Sequence, residues 1–328
     1  MGALTGSSIL LTGGTGSFGR AFVHQVLQDH DPSRIVVFSR DELKQYEMRS
    51  TLGDDERIRY FLGDIRDRDR LRMALRGVDY VVHAAALKQV DTAEYNPMEF
   101  VKTNILGSEN VIQACLESGV RKVVALSTDK ASSPVNLYGA TKLTADKLFV
   151  SSNHYGVAGE TRFSVVRYGN VMGSRGSVIP LFRRLAAAGE PLPITDNRMT
   201  RFWITLPRAV DFVIKSFDDM TGGELYVPKI PSMKVTDLAE AIAPGAPMTE
   251  IGIRPGEKLH EEMISSEDSR QTVKRSDRYV VKPTLAIWGG FHEAAGEPVP
   301  EGFAYTSDSN EEWLDVEAIR NLLQDLNL

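Results

Sequence analysis

The sequence predicts an α/β fold, in which a doubly wound parallel sheet is followed by a smaller C-terminal lobe. Three observations support this prediction. Short apolar runs alternate with longer amphipathic stretches through the first half of the chain, a glycine-rich turn follows the first apolar run, and Gly and Pro become frequent after about residue 170. Continuous apolar strands separated by helices are typical of a parallel sheet that is covered on both faces.

Six apolar runs predict the strands of the sheet, and three stretches with helical spacing predict helices between them. The predicted strands cover residues 8–12, 34–38, 57–62, 80–83, 122–126 and 163–167. The predicted helices cover residues 18–28, about 98–117 and about 137–153. Right-handed crossovers between parallel strands would distribute these helices over both faces of the sheet.

The second half of the chain lacks this regular alternation. Gly173, Gly176, Pro180, Gly189 and Pro191 follow one another closely, and further prolines occur up to residue 255. Such residues interrupt strands and helices. We therefore expect residues 1–170 to form the sheet domain, and residues 171–328 to form a smaller lobe that shares some elements with it.

Composition narrows the class of protein. The 328 residues carry a net charge of −6, with 42% hydrophobic and 25% charged residues, which is ordinary for a soluble globular protein. The negative charge argues against nucleic acid as a partner. No apolar stretch approaches the length of a membrane span, and we find no signal peptide. These features indicate a cytoplasmic protein that does not bind a membrane.

Cysteine and histidine usage excludes two kinds of site. The single cysteine, Cys115, leaves no internal disulfide framework, and its neighbours predict a buried helix face. The six histidines form no cluster with the spacing of metal ligands. We expect His83, at the end of a predicted strand, to be a core histidine and not a catalyst.

The glycine-rich turn has the spacing and the context of a dinucleotide-binding loop. Gly13, Gly16 and Gly19 follow the pattern T-G-x-x-G-x-x-G between the first predicted strand and the first predicted helix. Glycine allows a tight turn and a close approach of backbone N–H groups to a pyrophosphate, which the positive end of the helix also attracts. The turn therefore predicts a Rossmann domain, and its candidate cofactor residues are Gly13, Thr15, Gly16, Ser17, Phe18 and Gly19.

The end of the second strand favours NADP over NAD. NAD enzymes usually place an acidic residue there to hold the ribose 2′-hydroxyl, whereas this chain has Ser39 followed by Arg40. A guanidinium suits a 2′-phosphate. In the alternative interpretation Arg40 is solvated and Asp41 meets the ribose. Asp64 is expected either to contact the adenine or to cap the next helix. The other candidate cofactor residues are Ile65, Ala84, Ala85 and Lys88, together with Tyr138 and Lys142, of which Lys142 could hold the nicotinamide ribose.

Two segments near the end of the fifth strand predict the reacting centre. Thr128, Asp129 and Lys130 follow that strand, and Tyr138 and Lys142 have the spacing Y-x-x-x-K in the next predicted helix. Residues four apart share a helix face. A phenol is a weak base unless a neighbouring ammonium lowers its pKa. We therefore expect Lys142 to activate Tyr138 as a base, with Thr128 sharing the proton of the substrate.

These motifs together resemble a known family. The turn and the Tyr138–Lys142 pair are similar to those of the extended short-chain dehydrogenase/reductases. More narrowly, four segments resemble the inverting UDP-N-acetylglucosamine 4,6-dehydratases, and the similarity extends over nearly the whole chain. The segments are Thr128-Asp129-Lys130-Ala131, Pro134-x-Asn136-x-Tyr138-Gly139-Ala140-Thr141-Lys142, Arg167-Tyr168-Gly169-Asn170-Val171 and Arg254-Pro255-Gly256-Glu257-Lys258.

The resemblance implies a reaction and a role for each residue. Tyr138 would oxidise C4 of the sugar with NADP+ as the hydride acceptor, Lys130 would remove the acidified C5 proton, and Asp129 would protonate the leaving C6 hydroxyl. Hydride would return to C6, and reprotonation of C5 from the opposite face would invert that carbon. Retaining dehydratases typically have glutamate in place of Lys130. As a base Lys130 must be neutral, so we expect burial or positive neighbours to lower its pKa.

The resemblance also implies residues that hold the UDP-sugar. Asp91 departs from the family pattern, because it stands where a loop bordering the substrate usually has proline. The candidate substrate-binding residues are Lys88, Asn170, Arg175, Thr195, Arg201, Arg254 and Glu257, of which the arginines suit a pyrophosphate. A homo-oligomer, with a hexamer as one form, is the expected assembly.

Two other functions remain open from the sequence. A UDP-sugar 4-epimerase or a C5-retaining dehydratase would use the same tyrosine and lysine, but an epimerase needs no Asp129–Lys130 pair. A regulator that binds NADP without catalysis would not need Tyr138 and Lys142. The motifs therefore favour the inverting dehydratase.

Overall fold

A computed structural model describes residues 2, 4–155, 160–174, 177–284 and 295–326. The strands are β1 (Ser8–Thr12), β2 (Arg34–Ser39), β3 (Ile58–Leu62), β4 (Tyr80–His83), β5 (Lys122–Thr128), β6 (Arg162–Tyr168), β7 (Asn170–Val171), β8 (Leu192–Ile194), β9 (Thr200–Ile204), β10 (Leu225–Pro228), β11 (Ser232–Lys234), β12 (Met248–Glu250), β13 (Glu262–Ile264), β14 (Thr272–Lys274), β15 (Arg278–Val281), β16 (Glu297–Pro298) and β17 (Tyr305–Thr306). The helices are α1 (Ser17–Asp29), α2 (Glu42–Leu52), α3 (Arg68–Ala74), α4 (Val90–Tyr95), α5 (Pro97–Phe100), α6 (Gly107–Ser118), α7 (Leu137–Ser151), α8 (Val178–Ala187), α9 (Leu206–Asp219), α10 (Val235–Ile242) and α11 (Val316–Asp325). Val101–Leu106 is π-helical, and Asp129–Ala131, Ser152–His154 and Ser266–Gln271 are 3₁₀-helical.

Ten strands of the described chain form one sheet, in the order β3-β2-β1-β4-β5-β6-β10-β15-β14-β16. Neighbours from β3 to β10 are parallel, whereas β15, β14 and β16 are antiparallel to their neighbours. The order 3-2-1-4-5-6 is that of a doubly wound Rossmann sheet, which binds ligands where the order reverses, beyond the carboxyl ends of β1 and β4. The predicted fold class is confirmed.

All six predicted strands are present, with ends that differ by at most two residues, but the sheet continues beyond them. Strand β10 adds a seventh parallel strand next to β6, and β14, β15 and β16 extend the sheet further. Strand β10 carries no strong sequence signal, because it has four residues, ends at Pro228 and follows Gly222 and Gly223. All four strands come from the chain beyond residue 170, and the boundary at that residue stays a prediction.

Two apolar clusters stabilise the two parts of the structure. The larger one contains the buried residues of the Rossmann sheet and of the helices against it, with Ile9, Phe22, Val81, Val124 and Phe163 fully buried. The smaller one joins α8, β8, α10 and α11 through another set of buried residues, among them Ile179, Phe182, Leu192, Leu238 and Ile319. The smaller C-terminal lobe thus has a core of its own. No helix in the described part of the chain is long and apolar enough to cross a membrane.

The helix predicted over residues 98–117 contains a π-helical interruption. Helices α5 and α6 are joined by Val101–Leu106, and this segment carries the buried Asn104. The Asn104 amide donates to the Leu87 carbonyl at 2.9 Å and to Thr141 Oγ1 at 3.0 Å, and it accepts from the Leu87 N–H at 2.9 Å. The interruption therefore ties the loop after β4 to helix α7. Such π-bulges are frequent at functional sites.

The predictions for His83 and Cys115 are confirmed. His83 is 1% exposed, and its ring nitrogens lie 2.8 Å from Thr12 Oγ1 and 3.2 Å from Ser108 Oγ. Burial, with a smaller contribution from the charge of Lys142, lowers the pKa of His83 to about 3. Cys115 is fully buried on α6, and burial raises the pKa of its thiol. Both residues belong to the core.

Truncation of Phe217 should test the packing of α9 on the sheet. Its ring is fully buried, and its centroid lies 5.4 Å from that of Tyr80. We expect Phe217→Ala to lower the free energy of unfolding by about 3–5 kcal/mol, because transfer energy is lost and a cavity remains. Tyr46→Ala, at a side chain that is 69% exposed, should change it by less than about 0.5 kcal/mol. Equal shifts of the urea midpoints would contradict this packing.

His83 should make the fold sensitive to acid. Its pKa is about 3 in the folded chain and about 6.5 when unfolded. A lowered pKa means that its contribution to stability is complete above about pH 6.5 and is lost as the pH falls towards 3. We expect His83→Gln to lose less stability than the native chain between pH 6.5 and 4, as measured by urea unfolding. Parallel losses would show that His83 is not buried in its neutral form.

Candidate active site

A cleft of about 560 Å³ lies beyond the carboxyl ends of β1 to β4. Its walls include six of the predicted cofactor residues, which are Gly13, Thr15, Arg40, Asp64, Ile65 and Ala85. Lys44, Arg66 and Thr103 also line it, and the sequence analysis did not single them out. The cleft occupies the position where Rossmann sheets bind dinucleotides.

The three glycines of the turn allow close packing of the backbone. Gly13 has φ +67°, and a Cβ there would lie 2.9 Å from the Ala85 backbone. A Cβ on Gly19 would overlap the carbonyl of Gly14. Gly16 is the N-cap of α1, and no side chain among the described residues caps it. The turn can therefore approach the end of β4 only with glycine at position 13, and the start of α1 can pack against the turn only with glycine at position 19.

The other predicted residues of the turn and of β4 have different surroundings. Thr15 is buried in the turn, and the half-buried Phe18 stacks on Phe22 with ring centroids 5.9 Å apart. Ser17 opens α1. The N–H groups of Ala84 and Ala85 each lie 3.2 Å from Thr12 Oγ1, which accepts from them. Phe18 thus faces the core, while Thr15 and Ala85 face the cleft.

Arg40 and Asp64 face each other across the mouth of the cleft. Arg40 Nη1 lies 3.5 Å from Asp64 Oδ2, and half of the Arg40 side chain is exposed. Asp64 also accepts from the Arg66 N–H at 3.0 Å. Burial opposes the charge of Asp64, but its bonds to Arg66 and the charge of Arg40 outweigh burial and lower its pKa.

Asp41 has a helix-capping role in the structure, and one of the two alternatives for Asp64 is excluded, while a contact of Asp64 with the adenine stays a prediction. Asp41 caps α2, since it accepts from the Lys44 N–H at 3.0 Å and pairs with Lys44 Nζ at 2.6 Å. The prediction that Asp64 caps the next helix is wrong, because Asp67 is the N-cap of α3. Arg40 and Asp41 both line the cleft, so the alternative in which Asp41 meets the ribose stays open, although both carboxylate oxygens of Asp41 are already engaged by Lys44.

Helix α7 holds Tyr138 and Lys142 on one buried face. Asn136 caps the helix by accepting from the Gly139 N–H at 2.7 Å. A Cβ on Gly139 would overlap the carbonyl oxygen of Lys130, so glycine at this position lets the first turn of α7 lie against the segment after β5. The predicted catalytic residues from both segments therefore meet in one site.

The surroundings of Tyr138 correct one expectation. Burial raises the pKa of Tyr138 to about 12, and the charge that lowers it most is that of Lys130. Lys142 Nζ instead donates to the Leu126 carbonyl at 2.7 Å, and burial lowers its pKa against the opposing charge of Asp146. Tyr138 and Lys142 share a buried face of α7 as the spacing predicts, but the charge that acts most strongly on Tyr138 is that of Lys130.

Lys130 lies between two buried carboxylates. Its Nζ is 3.1 Å from Asp129 Oδ1 and 3.1 Å from Glu261 Oε1. Thr128 Oγ1 donates to Asp129 Oδ1 at 2.8 Å. Burial disfavours the charge of Lys130, but the negative charges of Asp129 and Glu261 outweigh burial and the repulsion from Arg201, and they raise its pKa. The expectation of a lowered pKa is therefore wrong for the unliganded chain.

A smaller pocket of about 130 Å³ adjoins Lys130. It brings together Lys130 and three predicted substrate residues, Asn170, Arg201 and Glu257, with Glu261. Asn170 Oδ1 and Glu257 Oε2 are buried and have no hydrogen-bond partner among the described residues. These two acceptors suit the donors of a polar ligand.

The remaining predicted substrate residues lie around this pocket or beyond the described chain. Arg254 Nη1 is 3.9 Å from Glu257 Oε1. The charge of Lys130 contributes to a lowered pKa at Lys88, after burial, so Lys88 lies near the reacting centre. Thr195 follows β8 and is not among the residues that line the pocket. Arg175 falls outside the described residues.

Glu261 is the site residue that the sequence analysis missed. It lies in Leu259-His260-Glu261-Glu262-Met263, where two adjacent glutamates of similar appearance gave no reason to select one. Only the fold, by placing the start of β13 beside Asp129–Ala131, brings Glu261 to Lys130. No group of three or more His, Cys, Asp or Glu side chains in the described ranges is arranged to hold a metal ion.

Comparison with curated proteins agrees with this geometry. The chain is 52% identical over 326 residues, 97% of each chain, to a protein of Campylobacter jejuni subsp. jejuni serotype O:23/36 (strain 81-176) named UDP-N-acetylglucosamine 4,6-dehydratase (inverting). It is 44% identical over 268 residues, 80% of this chain and 78% of the relative, to a UDP-glucose 4-epimerase of Rickettsia akari (strain Hartford).

Solved structures show the same fold. The X-ray structure of Pen from Bacillus thuringiensis superposes with a TM-score of 0.89 at 38% identity, covering 98% of this chain and 99% of that one. The dTDP-glucose 4,6-dehydratase DesIV from Streptomyces venezuelae, with NAD and TYD bound, superposes with a TM-score of 0.68 at 26% identity, covering 77% and 86%.

The family model described as polysaccharide biosynthesis protein matches residues 9–283. That range includes the glycine turn, the Asp129–Lys130 pair, Tyr138, Lys142 and Glu261. The resemblance drawn from the motifs is confirmed by the similarity to the Campylobacter dehydratase over nearly the whole chain. The chain belongs to the polysaccharide biosynthesis protein family.

Proposed function

We propose that this protein is an inverting UDP-N-acetylglucosamine 4,6-dehydratase. The observation that carries the proposal is the Asp129–Lys130 ion pair, with Nζ and Oδ1 3.1 Å apart, beside the buried Tyr138. A dehydratase needs an acid and a base at adjacent carbons, together with a group that oxidises a third carbon. The similarity to the Campylobacter enzyme of that name supports the same substrate.

The cleft beyond β1 to β4 fits a nicotinamide dinucleotide, for which we propose NADP. The glycines at the start of α1 leave room for a pyrophosphate, and Arg40 lies at the mouth of the cleft where a 2′-phosphate would need a cation. When bound, such a cofactor supplies the reversible hydride acceptor that oxidation at C4 and reduction at C6 both require.

Tyr138 is the proposed base for the C4 hydroxyl. The charge of Lys130 and a hydrogen bond with Thr128 both favour its phenolate, against the effect of burial. Lys142, fixed by the Leu126 carbonyl, lies one turn along the same face of α7, where it can orient the cofactor ribose. Thr128 shares the proton as Tyr138 takes it.

Proton transfer within the Asp129–Lys130 pair explains how a lysine with a raised pKa can act as a base. If Lys130 gives one proton to Asp129, the ion pair becomes a neutral amine and a carboxylic acid. The amine then takes the C5 proton, the acid protonates the C6 hydroxyl, and this hydroxyl leaves as water while the C5–C6 double bond forms. The two groups return to ammonium and carboxylate, so the step balances.

The pocket beside Lys130 is the proposed site for the sugar and the pyrophosphate. Asn170 and Glu257 offer buried acceptors to substrate hydroxyl or amide donors, and Arg254, about half exposed, is placed to meet a phosphate. Arg201 donates to the carbonyls of Thr200, Lys258 and Leu259. Its charge therefore acts near the pocket from a fixed position, while Arg254 has greater freedom to move.

A UDP-sugar 4-epimerase is the second candidate, because a relative with that name is 44% identical. Epimerisation uses the tyrosine and the cofactor, but it breaks no bond at C5 or C6. It leaves no task for a base and an acid held 3.1 Å apart. The Asp129–Lys130 pair therefore favours dehydration.

Removal of Lys130 should stop elimination without stopping the first oxidation. We expect Lys130→Ala to lose at least about 10²-fold in turnover, because a positioned base is lost. The measurement is proton NMR of UDP-N-acetylglucosamine in D2O. The native enzyme should produce a 6-methyl signal, deuterium at C5 and the couplings of an L-arabino-hexulose, while Lys130→Ala should produce no methyl signal. Absorbance of the reduced nicotinamide should still rise with Lys130→Ala, but more slowly than in the native enzyme, because Tyr138 loses the charge that favours its phenolate.

Controls separate the possible outcomes of this experiment. Lys147→Ala, at an exposed position of the same helix α7, should leave turnover unchanged, and Tyr138→Phe should abolish the rise in absorbance. A methyl product with D-xylo couplings would contradict inversion. Galactose-type couplings would indicate epimerisation. Normal turnover of Lys130→Ala would remove Lys130 as the base.

Arg40 should distinguish the two nicotinamide cofactors. We expect Arg40→Ala to weaken NADP binding by at least about tenfold and NAD binding much less, because a charged hydrogen bond is worth about 1.5–3 kcal/mol. Isothermal titration with each cofactor is the measurement. Arg49→Ala, at an exposed residue paired with Asp54 away from the cleft, is the matched control. Equal weakening of both cofactors would contradict the 2′-phosphate contact.

A further inference from the structure

Glu261 is a buried carboxylate to which the proposed reaction assigns no step. It is 2% exposed and immediately precedes β13. Its backbone is fixed by Ser307, because the Glu261 N–H donates to Ser307 Oγ at 2.9 Å and the Ser307 N–H donates to the Glu261 carbonyl at 2.8 Å. Its side chain lines the same pocket as Lys130. A buried charge in a rigid place needs cations nearby.

Two cations satisfy that need. Glu261 Oε1 lies 3.1 Å from Lys130 Nζ and 3.7 Å from Arg201 Nε. Three bonds to backbone carbonyls hold the guanidinium of Arg201 in place. Glu261 Oε2 is buried and has no hydrogen-bond partner in the described part of the chain. Glu261 thus lies between the ammonium of Lys130 and the guanidinium of Arg201.

We propose that Glu261 is a positioning residue that fixes the Lys130 ammonium beside Asp129 and controls how readily this ammonium gives up its proton. The proposal rests on the proposed function, in which Lys130 acts as a base. Lys130 has two acceptors at 3.1 Å, but only transfer to Asp129 produces the acid that the leaving hydroxyl needs. In the proposal Glu261 therefore holds the ammonium in place, and Asp129 is the group that takes its proton.

Charged and titratable groups from several elements face Lys130. Asp129 and Glu261 stabilise its ammonium, whereas Arg201 from β9 opposes it. Lys88, from the loop after β4, repels it, and Tyr138 of α7 interacts with its charge. An opposite charge within about 4–6 Å commonly shifts a pKa by about 1–3 units, so loss of the Glu261 charge should change the titration of Lys130 measurably.

Glu261→Gln removes the charge and keeps the shape. Competitive labelling of amines with acetic anhydride across pH, read by peptide mass spectrometry, gives the apparent pKa of Lys130 in the unliganded protein. We expect Glu261→Gln to lower that pKa by about 1–3 pH units.

Two further variants separate charge from structure. Glu262→Gln is the matched control, because the neighbouring Glu262 accepts from the hydroxyls of Ser132 and Ser133 at 2.8 and 2.6 Å, and it should leave the titration of Lys130 unchanged. Glu261→Asp keeps the charge and should keep the pKa of Lys130 close to the native value, while a longer reach to Lys130 lowers kcat. An unchanged titration in Glu261→Gln, or an equal shift in Glu262→Gln, would overturn the proposal.

The conversion assay and the labelling experiment can fail independently of each other. If the native protein does not convert UDP-N-acetylglucosamine, the proposed function fails, and the labelling experiment still decides whether Glu261 controls Lys130. If conversion occurs and labelling shows no shift, the proposed function stands and Glu261 has no such role. Should Glu261→Gln not fold, which circular dichroism would show, Glu261→Met removes the same charge without leaving a buried polar group: a lowered Lys130 pKa in that variant supports the proposal, and an unchanged pKa overturns it.

Discussion

The active site depends on the close packing of helix α7 against the segment that leaves β5. Gly139 makes this possible, because any larger residue would overlap the carbonyl of Lys130. At this distance Tyr138 of the helix and Lys130 of the segment influence each other electrostatically. Lys142 of the helix also donates a hydrogen bond to the carbonyl of Leu126, which lies two residues before the end of β5. One backbone contact therefore assembles residues from two elements.

Charge balance in this buried site is the second constraint. The Lys130 ammonium lies between Asp129 and Glu261, and Arg201 stands behind Glu261. A single buried ion pair can exchange its charge for a neutral acid and a neutral amine at modest cost, because the low dielectric that favours pairing also penalises isolated ions. The carboxylate of Glu261 stabilises the ammonium of Lys130 and so makes this proton exchange harder. The positive charge of Arg201 opposes that stabilisation. The structure thus holds the lysine charged while leaving a path to its neutral form.

Much of the fold could be predicted from local pattern. The strands at residues 8–12 and 80–83 were predicted with correct ends, since continuous apolar runs between helices leave few alternatives. Strand β10 was not indicated, because four residues that end in proline carry little periodic signal. The cofactor cleft could be predicted for the same reason, because the glycine turn and the strand and helix that flank it are contiguous in the sequence.

The sequence by itself determined the Rossmann sheet, the glycine turn, and the presence of Asp129, Lys130 and Tyr138 in one neighbourhood, because each of these follows from spacing within a single strand, turn or helix. Only the tertiary structure decided the charge of Lys130, the source of the charge that acts on Tyr138, and the role of Glu261. The charge of Lys130 and the role of Glu261 depend on two groups that lie about 130 residues apart in the chain. The charge that acts on Tyr138 comes from a residue near in sequence, but its effect depends on how α7 packs against the segment after β5. Electrostatic energies depend on distance and burial in space, and local sequence contains neither.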